Sequence, residues 1–357
     1  MKRRDLLRAG GALGLAGVAG CGGLVETRAA GVPPVPEDRP DGIYYPGHVE
    51  GMEMVGMTTS GDYAVGLFYS YPHRFWTVTG SDVSLTEIDG DDAVHLMASV
   101  WDPETETVLP ETGLSLEIVR DGSLVSQETI YPMLSQPMGF HYGANFALDG
   151  DGSYTLRASV GGVSTRRTGA FADRFADPAT VEFPFEYSEA SKNEIPFETG
   201  GERVGTPRAV EPMEMSALPN AFAPAEDALP GRVLGSGLSN DARLVATVLD
   251  APPEGVDGTG PYLAVSARTR YNRMVIPAMG LSGRLTRDGE TAFEGELTRT
   301  LDPELGYHYG DVVGDVQSGD TLALSVDVQP QTARHEGYET AFGGLLGGMP
   351  DVTIRVP

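Results

Sequence analysis

Short apolar runs that alternate with polar residues recur along most of the chain. In the first half they are "DYAVGLFYSY", "DAVHLMASVWD", "LSLEIVRDG", "SYTLRASV" and "TVEFPFEY", and in the second half "ARLVATVLD", "YLAVSART", "LSGRLTRDG", "TLALSVDV" and "DVTIRV". A period of two is typical of strands that bury one face. The Asp-Gly pair of each "RDG" segment is typical of a tight hairpin turn. The pattern therefore predicts an all-β protein with two tandem immunoglobulin-like β-sandwich domains after an export signal.

The two halves of the sequence resemble each other. Residues 95–145 align without a gap on 262–312, which superimposes Pro110 on Pro277 and the "GLS" and "RDG" segments on their counterparts. The same alignment places His141 of "GFHYGANF" on His308 of "GYHYGDVV", 167 positions later. A match of this kind predicts an internal duplication.

The duplication divides the chain into five parts. A length of 357 residues suits two domains that each bury a core. Composition and the repeat predict an export signal with the start of a tether over 1–31, a flexible linker over 32–48, copy one over 49–187, a second linker over 188–209 and copy two over 210–357.

The N-terminal segment "MKRRDLLRAGGALGLAGVAGCGG" has the features of a targeting signal. The pair Arg3 and Arg4 resembles a twin-arginine export signal, and "GVAGC" resembles a lipoprotein cleavage site that leaves Cys21 lipidated. Its apolar stretch is too short for a spanning helix, although a helix packed on the domain is an alternative. We therefore expect an extracytoplasmic protein anchored by lipid to the outer face of the cytoplasmic membrane.

The charge of the chain is strongly negative. Asp and Glu outnumber Lys and Arg by 51 to 25, for a formal net charge of -26, and Lys2 and Lys192 are the only lysines. A polyanionic nucleic acid would be repelled by such a surface, so nucleic-acid binding is excluded. The self-repulsion of this surface is typical of proteins from salt-rich environments. Because Cys21 is the single cysteine, the mature fold has neither a disulfide nor a thiolate metal site.

Several motifs of copy one resemble a known family. "HYGAN" at 141–145 follows the Met-containing run "YPMLSQPMG" and precedes the strand "GDGSYTLRASV", and "GME" at 51–53 opens the copy. This arrangement resembles the periplasmic iron- and copper-binding proteins that accompany permease-type ferrous iron uptake. The resemblance implies Cu or Fe(II) as the bound ion and a membrane iron permease as partner. It also implies a homodimer, which the two copies would reproduce as a pseudo-dimer within one chain.

The resemblance also implies a set of candidate ligands. The "RH" pair that the family carries in a late loop is Arg334 and His335 in copy two but Arg166 and Arg167 in copy one. The family's Glu in the His-x-Glu strand is Met97 here, and Tyr262 stands in copy two where copy one has His95. If the two half-sets face each other, one site draws on both copies. The candidate metal ligands are His95, His141, Met133, Met97, His308, His335 and Glu53.

The chemistry of these side chains agrees with a metal-binding role and leaves alternatives open. Neutral imidazole suits iron, copper and zinc, whereas thioether sulfur selects soft ions, so Met97 and Met133 favour Cu(I). The sequence has no catalytic motif, so we expect no enzyme. Alternatives are a cell-surface module that binds protein or glycan, and a redox partner with a copper centre. The methionines are equally typical of core filler, His95 and His141 of hydrogen-bonded structural residues, His73 of a structural residue among aromatics, and His48 of a solvated tether.

Overall fold

The computed structural model describes residues 32–214 and 218–357. The export signal, the lipoprotein site and Cys21 lie outside the described residues. Nearly all of the regular secondary structure in the described chain is β-strand, which confirms the predicted all-β class. Among these residues, the helices are too short and too polar to cross a membrane.

The strands follow the chain in the order that the alternating pattern predicts. The first part contains β1 (His48–Glu50), β2 (Glu53–Ser60), β3 (Tyr63–Ser70), β4 (Phe75–Thr79), β5 (Asp82–Thr86), β6 (Asp92–Trp101), β7 (Leu114–Arg120), β8 (Ser123–Thr129), β9 (Tyr131–Ser135), β10 (Gly139–Ala147), β11 (Gly152–Val160), β12 (Arg166–Arg167) and β13 (Ala179–Tyr187). The helix α1 (Glu189–Lys192) and three 3-10 turns, Gly169–Phe171, Gly201–Arg203 and Glu226–Ala228, are short.

The second part repeats the arrangement. It contains β14 (Phe197–Thr199), β15 (Arg232–Ser239), β16 (Ala242–Leu249), β17 (Tyr262–Thr269), β18 (Gly280–Arg287), β19 (Glu290–Glu296), β20 (Thr298–Asp302), β21 (Gly306–Val312), β22 (Thr321–Val328), β23 (Ala333–Arg334) and β24 (Val352–Arg355). Each "RDG" turn joins two of these strands, β7 to β8 and β18 to β19, and its Asp and Gly both have positive φ.

Four sheets of four or more strands carry the fold. Sheet I has the order β2-β3-β6-β10-β9-β23-β4-β5, and sheet II the order β13-β11-β7-β8. Sheet III has the order β12-β20-β21-β17-β16-β15, and sheet IV the order β19-β18-β22-β24. Strand β13 shows why the sheets pair: Val181, Phe183 and Phe185 are buried while the residues between them are exposed. Most of the buried apolar residues, drawn from all four sheets, form one continuous cluster, and three smaller clusters lie beside it.

Two short strands cross from one copy to the sheet of the other. Strand β23 of copy two lies parallel to β9 in sheet I, with Ala333 opposite Met133. Strand β12 of copy one lies parallel to β20 in sheet III, with Arg166 opposite Thr300. Both pairs are related by the offset of 167 that aligns the two copies. The exchange is therefore reciprocal, as in an isologous contact between two subunits.

The segment 32–48, predicted as a flexible linker, is packed, which corrects that expectation. Ile43, Tyr44 and Tyr45 are buried, the Tyr44 amide donates to the Gly337 carbonyl, and the Thr340 hydroxyl donates to the carbonyl of residue 42. The cause is the apolar "IYY" run, whose burial outweighs the local preference of its Gly and Pro neighbours for a loop. The second linker, 188–209, contains β14, which pairs with β1.

Candidate metal centre

Four histidines from separate elements meet at one corner of sheet I. His95 lies on β6, His141 lies on β10, His73 follows β3, and His335 follows β23, the strand that crosses from copy two. The ligand nitrogens of His73, His95 and His335 lie within 4.8 Å of one another. Ring centroids are 3.9 Å apart for His73 and His95, and 5.2 Å apart for His141 and His335.

Strand register explains the meeting. His95 lies opposite Asn145 on β10, and His141 lies opposite Met133 on β9, so both rings belong to neighbouring ladders of one sheet. The amide of His335 donates to the Leu134 carbonyl at 3.0 Å, which holds the loop after β23 against β9. The exchanged strand thus brings a copy-two imidazole to the candidate ligands of copy one.

The hydrogen bonds of three of these histidines fix the same tautomer. The Nδ1 atoms of His95, His141 and His73 face the Asn145 Oδ1 atom at 2.7 Å, the carbonyl of residue 139 at 3.1 Å and the Glu50 Oε2 atom at 3.4 Å. Since these atoms accept hydrogen bonds, each Nδ1 carries the proton and each Nε2 presents a lone pair. Histidines that bind a metal through one ring nitrogen typically donate the N–H of the other to a carboxylate or carbonyl oxygen.

The Nε2 atoms of all four histidines are buried and have no hydrogen-bond partner among the described residues. Buried polar atoms in folded proteins are nearly always paired, so a group of four unpaired ones needs an explanation. An ion held between them provides one, since each Nε2 has a lone pair to offer.

Burial keeps these imidazoles neutral. It lowers the pKa of His141 to about 4, and it holds the pKa values of His95 and His335 well below the usual range for histidine. The positive charge that His73 can carry opposes protonation of all three. Neutral imidazole is the form that binds a metal, so these ligands are ready at neutral pH.

A glycine keeps the space between the imidazoles and the Met133 thioether open. A Cβ atom placed on Gly143 would lie 2.6 Å from the His95 Nε2 atom and 3.0 Å from the Met133 Sδ atom. Met133 is fully buried. An imidazole nitrogen and a thioether sulfur therefore border the same small gap, and this donor pair suits a copper ion.

Of the other two predicted ligands of copy one, Met97 lies beside the histidine cluster and Glu53 lies away from it. Met97 lines the pocket beside His73 and His335, where it packs with Phe68 and Met138. Glu53 is exposed on β2, the edge strand of sheet I, and lies outside the cluster, which corrects its assignment.

Copy two has the same corner, filled by protein atoms. His308 repeats the bond of His141, with its Nδ1 atom 3.0 Å from the carbonyl of residue 306, but its Nε2 atom meets the Tyr262 hydroxyl at 3.0 Å. The Arg166 guanidinium donates to that hydroxyl at 2.9 Å and to the Thr300 Oγ1 atom at 3.0 Å. His308 thus has both ring nitrogens occupied and lies outside the histidine cluster.

Register also corrects the sequence alignment of the late loops. Because Arg166 pairs with Thr300 as Ala333 pairs with Met133, the counterpart of Arg334 is Arg167, and that of His335 is Thr168. The corner in sheet III therefore has Tyr262, Thr300 and Thr168 where the corner in sheet I has the candidate ligands His95, Met133 and His335. A permanent cation, Arg166, lies among them.

Sequence reasoning missed three parts of the centre. The aromatic residues around His73 in "YPHRFW" predict a structural residue, and the position of His48 in the linker predicts a solvated one, yet both lie close to Glu50 in the structure. Glu50 itself, three positions before Glu53, was not a candidate. The usable signal was the spacing of His48 and Glu50, since residues i and i+2 of a strand face the same side.

The fold and the cluster define a class: an all-β protein whose buried imidazoles and thioether suit a transition-metal ion. The family comparison agrees with this class. Residues 101–189, which include "HYGAN", match the model of the family described as Fe2+ transport protein, and this match confirms the resemblance drawn from the motifs. Residues 227–355 match a domain of unknown function, DUF7350.

Solved structures of FetP from uropathogenic Escherichia coli are among those similar to this chain. A copper-bound variant has 19% identity, covers 38% of this chain and 97% of its own, and gives a TM-score of 0.29. FetP as isolated from recombinant periplasmic expression has 22% identity, covers 40% and 96% of the two chains, and gives a TM-score of 0.29. No curated protein matches the sequence.

Proposed function

We propose that this protein binds one copper or ferrous ion outside the cytoplasm and hands it on for uptake. The proposed ligands are the Nε2 atoms of His73, His95, His141 and His335, with the Met133 sulfur beside them. The observation that carries the proposal is the group of four buried Nε2 atoms without a hydrogen-bond partner in the described chain. The family match over 101–189 supports it independently.

The donor set favours copper over iron. Four imidazoles and a thioether form a borderline-to-soft set, and the Glu50 carboxylate faces an imidazole instead of the gap. Ferrous iron accepts imidazole but gains less from sulfur, so we expect Cu(I) to bind more tightly. Because the set contains neutral donors and no thiolate, we expect reversible binding, which suits a protein that delivers its ion.

One site per chain follows from the difference between the two corners. In copy two, the Tyr262 hydroxyl occupies the His308 Nε2 atom, and the Arg166 guanidinium supplies a positive charge. A metal ion there would have to displace both. The pseudo-dimer therefore holds a single composite site, which His335 of copy two completes.

The remaining parts of the proposal concern the setting. The twin-arginine pattern and Cys21 support export and a lipid anchor on the outer face of the cytoplasmic membrane, and the family match supports a membrane iron permease as the recipient of the ion. The acidic composition supports a salt-rich environment. On this proposal the protein is a carrier and not a catalyst.

Matched substitutions at the two corners test the function. Protein without its signal is titrated with Cu(I) against a chromophoric chelator, and with Fe(II) under anaerobic conditions. We expect one ion per chain, a loss of affinity of roughly 100-fold or more for His141→Ala, and wild-type binding for His308→Ala. Equal behaviour of the two variants, or two ions per chain, would refute the composite site.

A further inference from the structure

A buried carboxylate lies behind one of the proposed ligands. Glu50, at the end of β1, has a side chain that is 8% exposed. Its oxygens accept hydrogen bonds from the His48 Nε2 atom at 2.8 Å and the Ser70 hydroxyl at 2.9 Å, and the His73 Nδ1 atom lies 3.4 Å away. Three donors therefore converge on one anion.

The groups around the Glu50 carboxylate are ones that can donate to it. They are the His48 ring, the Ser70 hydroxyl and the His73 ring. Because a carboxylate oxygen accepts hydrogen bonds, this arrangement places the protons on the ring nitrogens of the two imidazoles that face it.

The location of His73 explains why it needs such a partner. His95 and His141 lie within long strands whose ladders fix their orientation, whereas His73 lies on the connection between β3 and β4. The Asn145 side-chain amide donates to the His73 carbonyl at 3.0 Å and so holds its backbone. The orientation of the His73 ring therefore depends on its contact with Glu50.

We infer that Glu50 is a positioning residue: it makes His73 a metal ligand by holding the proton on Nδ1 and directing Nε2 into the cluster. His48 in turn holds Glu50 through its hydrogen bond to the carboxylate. The His48 ring is stacked on Phe197, with 5.0 Å between the ring centroids. The small sheet of β1 and β14 thus carries the residues that orient His73. Its action through His73 rests on the proposed function.

The test compares Glu50→Gln with Glu50→Asp, and uses the exposed Glu53→Gln as matched control. An amide in place of the carboxylate can donate to the His73 Nδ1 atom, which would move the proton to Nε2 and block that ligand. We expect Glu50→Gln to weaken Cu(I) binding about 10- to 100-fold, Glu50→Asp to restore part of the affinity, and Glu53→Gln to bind as wild type.

Two further readouts separate positioning from a purely structural role. Nitrogen-15 NMR of the metal-free protein reports the His73 tautomer, which Glu50→Gln should shift while thermal stability is compared in parallel. In a His73→Ala background, Glu50→Gln should weaken Cu(I) binding no further, because its route to the ion is gone. An equal loss in both backgrounds would overturn the inference, as would unchanged affinity of Glu50→Gln.

The two proposals fail in different ways. If His141→Ala leaves Cu(I) binding intact, the metal function itself is wrong. If His141→Ala abolishes binding while Glu50→Gln binds as wild type, the function stands and Glu50 has no positioning role.

Discussion

At the scale of single residues, the two corners differ in the surroundings of one histidine Nε2 atom. His141 and His308 share the same sequence context and the same Nδ1 bond to a carbonyl. Their Nε2 atoms differ, since that of His308 faces a tyrosine hydroxyl and that of His141 is unpaired among the described residues. Burial alone therefore does not distinguish a histidine available as a ligand from a hydrogen-bonded structural one, whereas the partner of its Nε2 atom does.

The gap beside Gly143 gives a test at this scale. Gly143→Ala places a methyl group 2.6 Å from the His95 Nε2 atom and 3.0 Å from the Met133 Sδ atom, inside the space proposed for the ion. We expect Cu(I) affinity to fall by roughly 100-fold or more, since the ligands themselves must move apart. Competition titration measures it.

The control for Gly143→Ala is Gly90→Ala, a position where an added Cβ meets nothing within 4 Å. Both variants keep a backbone that accepts alanine, so thermal unfolding checks that each folds. Wild-type Cu(I) affinity in Gly143→Ala would contradict an ion between His95 and Met133.

Part of this centre could be predicted from the sequence. The motif resemblance identified His95, His141, Met133 and His335, and the structure brings these four together. The sequence could not identify His73. This residue lies after the end of a strand, where the alternation of buried and exposed positions no longer indicates which way a side chain points.

At the scale of elements, the strands that the sequence predicts are those in which apolar and polar residues alternate. Strand β13 alternates between buried and exposed residues over nine positions, and the sequence predicts it as a strand. The two-residue strands β12 and β23 are too short for any period, so the sequence gives no sign of the exchange. Yet β23 is the strand that brings His335 of copy two to the histidines of copy one.

Arg334 provides a test of the exchanged element. This fully buried guanidinium donates to the carbonyls of Thr332, Ala341 and Pro330 at 2.8–3.1 Å, and so closes the loop that follows β23. Arg334→Ala removes the side-chain donor from the Thr332 and Pro330 carbonyls, at a cost of about 1–3 kcal/mol for each buried group, whereas the Ala341 carbonyl still accepts from the Gly344 amide. We expect lower thermal stability together with weaker Cu(I) binding, because the loop also holds His335.

The control is Arg355→Ala, at an exposed position of β24. It should leave both the melting temperature and the Cu(I) affinity within error of wild type. If Arg334→Ala lowered stability but not affinity, the loop would not be what places His335.

At the scale of the whole molecule, a continuous apolar core coexists with a surface of high negative charge. Repulsion among surface carboxylates opposes the compact state, and dissolved salt screens it. The screening length falls from about 10 Å at 0.1 M salt to about 3 Å at 1 M. We therefore expect the melting temperature to rise by several degrees between these concentrations, as thermal unfolding in sodium chloride would show.

A variant with three exposed acids neutralised, Asp82→Asn, Glu87→Gln and Asp91→Asn, serves as the control. Its melting temperature should depend less steeply on salt than that of wild type. Identical slopes would mean that salt acts through the apolar core and not through surface charge.

The reciprocal exchange of β12 and β23 has a consequence for how such a protein can evolve. In a dimer of identical subunits, every substitution alters both corners. When one chain carries both corners, each can change by itself. Here the Arg166 guanidinium fills one corner, and the other has four buried Nε2 atoms without a partner among the described residues, one of them on His335 of copy two.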